Sequence, residues 1–185
     1  MLEAIVGCIY SDKTTELIAL IKELQRDNKS VVTLKPSHTS LHTQNHFLTH
    51  SGIQMKSVGI ENIQEIYDHI DDETEVLAVD DVHFLEDWDT PRLLNELVNQ
   101  GIHVIVSGVD TDFKGEPYGI MAELLAYADL VIKKTAVCSV CGERATRSQR
   151  LLHGNPVKRS DKLFYIDPHM SYEARCRKHH EVIVD

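Results

Sequence analysis

The sequence has no long apolar run and little positive charge. No stretch approaches the ~20 consecutive apolar residues of a membrane-spanning helix. The N-terminus also lacks the basic region, apolar stretch and cleavage site of a secretory signal. We therefore expect a cytoplasmic protein without a membrane partner. With 19 Lys and Arg against 29 Asp and Glu, the net charge of −10 argues against nucleic-acid binding. The basic pair Lys158 and Arg159 is expected to be a solvated loop.

Cysteine is scarce as well, with four residues in the chain of 185, and three of them lie in the last third. In a cytosolic protein such clustering indicates a metal site rather than disulfides. Cys138-x-x-Cys141 and Cys176-x-x-His179 form two pairs whose spacing suits tetrahedral Zn²⁺. Because four protein ligands leave no open position, we predict a structural zinc site. His180 is the alternative fourth ligand, although its spacing fits less well.

The apolar share of 42% is sufficient for a folded core. Apolar segments alternate with amphipathic ones up to about residue 134, which predicts a parallel α/β sheet flanked by helices. The predicted strands are 3–6, 30–34, 76–81, 102–108 and 130–134. The predicted helices are 14–25, 62–70, 89–101 and 119–129. Within the third of these, Thr90 is the predicted N-cap and Gly101 the left-handed terminator. We expect residues 1–134 to form a nucleotide-binding domain and residues 135–185 a small zinc-binding domain.

The segment "GCIYSDKT" (7–14) lies between the first predicted strand and helix. Gly7, Lys13 and Thr14 match the ends of the pattern G-x-x-x-x-G-K-[ST]. In such loops backbone amides surround phosphate, the lysine reaches the outer phosphates and the hydroxyl binds Mg²⁺. Asp12 stands where the second glycine is expected. Chance matches to so degenerate a pattern are common, so its context has to support it.

A pair of carboxylates supplies that context. Asp80 and Asp81 end a near-continuous apolar strand, where the Mg²⁺-binding carboxylate of this class of loop protein lies. The alternative role for Asp80 is that of a turn or helix-capping residue. Loop, strand and spacing together favour the phosphate-binding role.

Five blocks of the sequence resemble the type II thymidine kinase family, which contains the cytosolic enzyme and its bacterial and viral relatives. They are "SDKTTELI" (11–18), "VDDVHF" (79–84), "SGVDTDFKGEPYG" (107–119), "TAVCSVCGERATRSQRL" (135–151) and "YEARCRKHHEV" (172–182). The blocks keep the order and spacing of the family. The resemblance implies a P-loop type of α/β fold, a C-terminal lasso-like domain that covers the nucleoside and holds structural zinc, and a homotetramer.

The resemblance also implies a reaction, the transfer of the γ-phosphoryl group of ATP to the 5′-hydroxyl of thymidine. Its implied partners are ATP, Mg²⁺, and thymidine or thymidine nucleotides. Asp81 would be the general base. The implied ATP and Mg²⁺ ligands are Gly7, Ser11, Lys13, Thr14 and Asp80. The implied nucleoside contacts are Phe84, Phe113, Tyr118 and Tyr172, and the implied zinc ligands are Cys138, Cys141, Cys176 and His179.

The chain departs from the family pattern at polar positions of this site. The departures are Asp12 for glycine, Thr39 and Leu41 for Asp and Arg, Asp81 for glutamate, His83 for glutamine, and Pro168 in the segment over the base. A carboxylate at position 12 would repel phosphate, and an aspartate base has a shorter reach than glutamate. Two functions therefore stay open. One is a thymidine kinase with weakened activity, and the other is a catalytically inactive relative that sequesters nucleosides or nucleotides or regulates through them.

Overall fold

Six parallel strands form the central sheet of the computed structural model, which describes residues 1–37, 45–49, 51–165 and 167–184. The strands are β1 (Leu2–Gly7), β2 (Val31–Pro36), β5 (Val58–Ile60), β6 (Val76–Val79), β7 (His103–Gly108) and β8 (Leu130–Lys134). Their order across the sheet is β5-β2-β6-β7-β1-β8. The predicted α/β fold is thereby confirmed. The edge strand β5 was not predicted.

The apolar runs form strands because the sheet is covered on both faces. Every residue of β1 and β6 is buried, as expected for the middle of a parallel sheet. Successive residues point to opposite faces. Ala4 and Val6 therefore pack against helices α2 (Thr90–Asn99) and α3 (Met121–Tyr127), whereas Ile5 packs against helix α1 (Lys13–Arg26).

One prediction about local structure was wrong and another was confirmed in part. The helix predicted over 62–70 is the 3₁₀ helix Ile63–Asp68. Its buried residues, Ile63 and Ile66, are three apart, and the 3₁₀ turn places such residues on one side. Asp89, not Thr90, occupies the N-cap of α2, and the Thr90 hydroxyl instead donates to Leu85 O at 3.2 Å. Gly101 has φ 102°, the predicted left-handed conformation.

Further strands of the described chain lie outside the central sheet. They are β3 (His46–Leu48), β4 (Gln54–Lys56), β9 (Ala136–Val137), β10 (Arg144–Ala145), β11 (Arg147–Leu152), β12 (Asn155–Pro156) and β13 (Met170–Arg175). They form β-sheets of two or three strands separate from the central sheet. The division of the chain into domains 1–134 and 135–185 stays a prediction. In the described residues no helix has the length and apolarity to cross a membrane.

Parallel pairing decides where the loops meet. Since β1, β6 and β7 run in the same direction, the segments after them emerge at one edge of the sheet. These segments are the predicted phosphate loop (residues 7–14), the pair Asp80 and Asp81, and the residues that follow Gly108. The fold thus brings the predicted site residues of the first 134 positions together.

Candidate functional site

The predicted phosphate loop is closed by two hydrogen bonds, and it begins at a glycine with no room for a side chain. Gly7 has φ 153°, and a Cβ at this position would lie 2.4 Å from Lys134 O, so a larger residue does not fit. Ser11 Oγ donates to Cys8 O at 2.7 Å, and Lys13 Nζ donates to the same carbonyl at 2.8 Å. The loop is therefore a closed turn with the lysine ammonium folded against it.

Asp12 is the last residue before α1. Its backbone is left-handed, with φ 59°, and its exposed side chain makes no capping hydrogen bond to the helix. A non-glycine residue in this conformation costs roughly 1–2 kcal/mol. Asp12 lines the cavity of the site. It thus places a carboxylate at a helix N-terminus, the region that binds phosphate in such loops.

The two predicted carboxylates differ in their surroundings. Asp80 is 3% exposed, and it accepts hydrogen bonds from Thr14 Oγ1 at 3.0 Å and from the Ser107 hydroxyl. Burial and, to a smaller extent, the charge of Asp81 together raise the pKa of Asp80 to about 7, although the two hydroxyl bonds oppose the shift. Asp81 lines the cavity from a left-handed backbone with φ 52°. Burial also lowers the pKa of Lys13, against the attraction of Asp81 and Asp80.

The aromatic residues surround a cavity of about 310 Å³. Phe84, Phe113, Tyr118 and Tyr172 all line it, as does Phe164, which was not predicted. The ring of Phe84 lies edge-on to those of Tyr118 and Phe164, with centroids 6.1 and 5.0 Å apart. Such walls offer apolar area to a flat ring. Phe164 was not predicted because it lies outside the five sequence blocks that resemble the family.

The same cavity extends to the phosphate loop. Its lining includes Lys13, Thr14 and Asp81 as well as the aromatic rings. A ligand in this cavity can therefore contact both aromatic side chains and residues of the predicted phosphate loop, with Asp81 in the same lining.

A buried arginine supports the aromatic wall from behind. Arg150 is 0% exposed, and its Cζ lies 3.6 Å from the centroid of the Phe113 ring, a cation–π contact. Its Nη1 donates to Leu163 O at 2.9 Å, and Cζ lies 5.3 Å from the Tyr165 ring centroid. Arg150 thus connects β11, the Phe113 wall and the segment 163–165. Nothing in the sequence indicated this role, because arginine is usually exposed.

Four side chains near the C-terminus form a separate cluster. The ligand atoms of Cys138, Cys141, Cys176 and His179 all lie within 4.8 Å of one another. The Cys141 and Cys176 sulfurs are 3.9 Å apart, and the Cys176 sulfur is 3.3 Å from His179 Nδ1. Bonds of ~2.3 Å space the sulfurs of a tetrahedral zinc site about 3.8 Å apart. The group could therefore hold a single metal ion.

The alternative ligand His180 turns away from this cluster. Its Nε2 lies 2.8 Å from Phe113 O. The cysteines are free thiols. Desolvation raises the pKa of the Cys138 thiol, but backbone N–H groups of Cys176, Val140 and Cys141 outweigh it and bring the pKa to about 6. Such a thiol reaches the thiolate form that metals bind.

Some of the departures from the family pattern fall outside the described residues. Thr39 and Leu41 lie in the stretch 38–44, of which nothing is described. Pro168 follows Asp167, whose side chain accepts the His169 N–H at 2.8 Å and whose carbonyl accepts the Met170 N–H at 3.0 Å. These two N–H groups are engaged within the turn.

A parallel sheet with a lysine-bearing loop and a buried carboxylate at the ends of its strands belongs to the nucleotide-binding α/β class. The family model described as thymidine kinase matches the chain over residues 1–180. The chain therefore belongs to the thymidine kinase family, as the sequence blocks predicted. The match supports a transferase that binds nucleotides.

Proposed function

We propose that this chain binds thymidine or thymidine nucleotides in the aromatic cavity and phosphorylates the thymidine 5′-hydroxyl with ATP, at a rate limited by weak ATP binding. The observation that carries the proposal is the shared cavity, whose lining includes Phe84 and Tyr118 together with Lys13. Phosphoryl transfer requires mainly positioning and charge neutralisation. One continuous cavity serves both requirements.

Each residue has a physical role in this proposal. Phe84, Phe113, Tyr118 and Tyr172 bind the base. Lys13 offsets phosphate charge, with Gly7 and Ser11 maintaining the loop around it. Asp81 accepts the proton of the 5′-hydroxyl, for which it must come within hydrogen-bond reach.

Thr14 and Asp80 fit a magnesium ion. They are adjacent oxygen donors, joined by a 3.0 Å hydrogen bond, and oxygen is the ligand that Mg²⁺ prefers. The raised pKa of Asp80 shows a buried carboxylate that a nearby cation would stabilise in its charged form. When bound, the ion would neutralise phosphate charge. In the same way, the three thiols and the imidazole fit structural Zn²⁺, with no ligand position left for water.

The second candidate function is binding without catalysis. One observation favours it, namely the Asp12 carboxylate at the start of α1, where a phosphate would bind. A sequestering or regulatory relative would keep the aromatic cavity and lose the use of ATP. In either case we place the protein in the cytoplasm, and we propose the homotetramer typical of the family.

Calorimetry with thymidine and with ATP–Mg²⁺ separately tests the proposal. We expect measurable thymidine binding and weaker ATP binding, together with slow formation of thymidine monophosphate. Thymidine binding without any product at saturating ATP would favour the second candidate. Absence of thymidine binding would refute the kinase, and absence of binding by any nucleoside or nucleotide would refute both.

A further inference from the structure

His83 lies at the centre of the site although no role was assigned to it from the sequence. It is 3% exposed and lines the cavity. Its ring centroid is 4.1 Å from that of Phe84 and 5.0 Å from that of Tyr118, the latter edge-on. It therefore packs against two of the four rings proposed to bind the base.

The turn that carries His83 adopts an unusual backbone. Asp81 has φ 52°, and the 3₁₀ helix Val82–Phe84 follows it directly. Within the turn, Phe84 N–H donates to Asp81 O at 3.0 Å. One local bond per residue stabilises a 3₁₀ turn weakly, so contacts from outside the turn contribute to the position of Asp81 and Phe84.

The end of β7 supplies one such contact. Val109 N–H donates to His83 Nδ1 at 3.2 Å. At Gly108, a Cβ would lie 3.1 Å from the same nitrogen, so the ring sits close against the strand end. Since Nδ1 accepts, the neutral ring carries its proton on Nε2.

We propose that His83 is a positioning residue, whose bond from Val109 N–H fixes the turn that carries Asp81 and Phe84 and so orients the bound nucleoside. The inference rests on the proposed nucleoside site. His83 need not touch the substrate, because it acts through Asp81 and Phe84.

Three variants test this role. His83→Leu removes the acceptor at similar size, whereas His83→Asn keeps an acceptor at the δ position. His69→Leu is the matched control, because His69 is exposed and lies in another loop. By calorimetry, we expect His83→Leu to lose about tenfold in thymidine affinity, the value of one buried hydrogen bond. His83→Asn should stay within about threefold of wild type, and His69→Leu should be unchanged.

Amide hydrogen exchange provides a readout that requires no ligand. Protection of the Val109 amide should fall in His83→Leu and persist in His83→Asn. The proposal is overturned if Val109 stays equally protected in all variants, or if the folded Leu variant binds thymidine as tightly as wild type. Equal weakening by Asn and Leu also overturns it. If wild type binds no thymidine, the proposed function fails, and exchange at Val109 and Phe84 still decides whether His83 fixes the turn.

Discussion

Replacing Asp12 with glycine should strengthen ATP binding. Two effects contribute. Two unit charges ~4 Å apart repel by about 4 kcal/mol at an effective dielectric of 20, but Asp12 is exposed, so solvent and salt screen much of this repulsion. Asp12 also lines the cavity in which the phosphates would bind. We expect an affinity gain of roughly tenfold to a hundredfold, well short of the unscreened limit.

The substitution should leave the stability of the fold nearly unchanged. Glycine adopts φ 59° without the cost of roughly 1–2 kcal/mol that aspartate bears there. It also makes the unfolded chain more flexible, which costs about 0.4–1 kcal/mol. Since the two effects have opposite signs, a change in ATP affinity is not a by-product of altered folding.

The substitution Asp12→Asn separates the effect of the charge on ATP affinity from the effect of the backbone conformation. Asparagine tolerates the left-handed conformation about as well as aspartate does but carries no charge. Calorimetry with ATP–Mg²⁺ at two salt concentrations should show most of the gain in Asn and the remainder in Gly. The gain should be smaller at high salt. An ordinary ATP affinity in the wild type that neither substitution changes would refute the argument.

Three other predictions concern metal, pH and ligand choice. Elemental analysis after chelator-free purification should give one Zn²⁺ per chain, and Cys176→Ser should lose it; a metal content near zero or a Cys138–Cys141 disulfide would contradict the site. Burial lowers the pKa of His83 to about 3 in the folded chain, so below pH ~6.5 the unfolded chain takes up a proton that the folded chain does not, and the free energy of unfolding decreases as pH falls towards 3. Urea unfolding at pH 7.5 and 5 should show about 2 kcal/mol more loss in wild type than in His83→Asn; parallel loss in both proteins would count against it. Thermal shift with a nucleoside panel should favour thymidine over purine nucleosides, and an equal response would contradict the pocket assignment.

The central sheet could be predicted because its strands are buried on both faces. The near-continuous apolar runs of β1, β6 and β7 are typical of strands buried in a parallel sheet. The helix predicted over 62–70 was only partly correct, since the fold has the 3₁₀ helix Ile63–Asp68 there and leaves Tyr67 49% exposed. Ile63 and Ile66 are buried in the core, whereas Ile70 is partly buried and packs against it.

The C-terminal strands could not be predicted, because their pairing depends on distant partners. β11 and β13 pair across the segment 153–169, and their residues alternate too weakly to be recognised as strands.

The candidate site likewise has one part that the sequence predicts and another that depends on tertiary packing. Its candidate charged residues and candidate metal ligands belong to spaced motifs, so the sequence could indicate them. The contacts of His83 with Val109 and of Arg150 with Phe113 join residues far apart in the chain. Such contacts follow from tertiary packing alone.

The most direct test of the account is whether thymidine monophosphate forms from thymidine and ATP–Mg²⁺. Chromatography would measure the product for wild type, Asp12→Gly and Asp81→Asn. We predict slow product formation by wild type, faster formation by Asp12→Gly at low ATP, and none by Asp81→Asn. Thymidine binding with no product from wild type or Asp12→Gly at any ATP concentration would contradict the kinase and leave a protein that only binds its nucleoside.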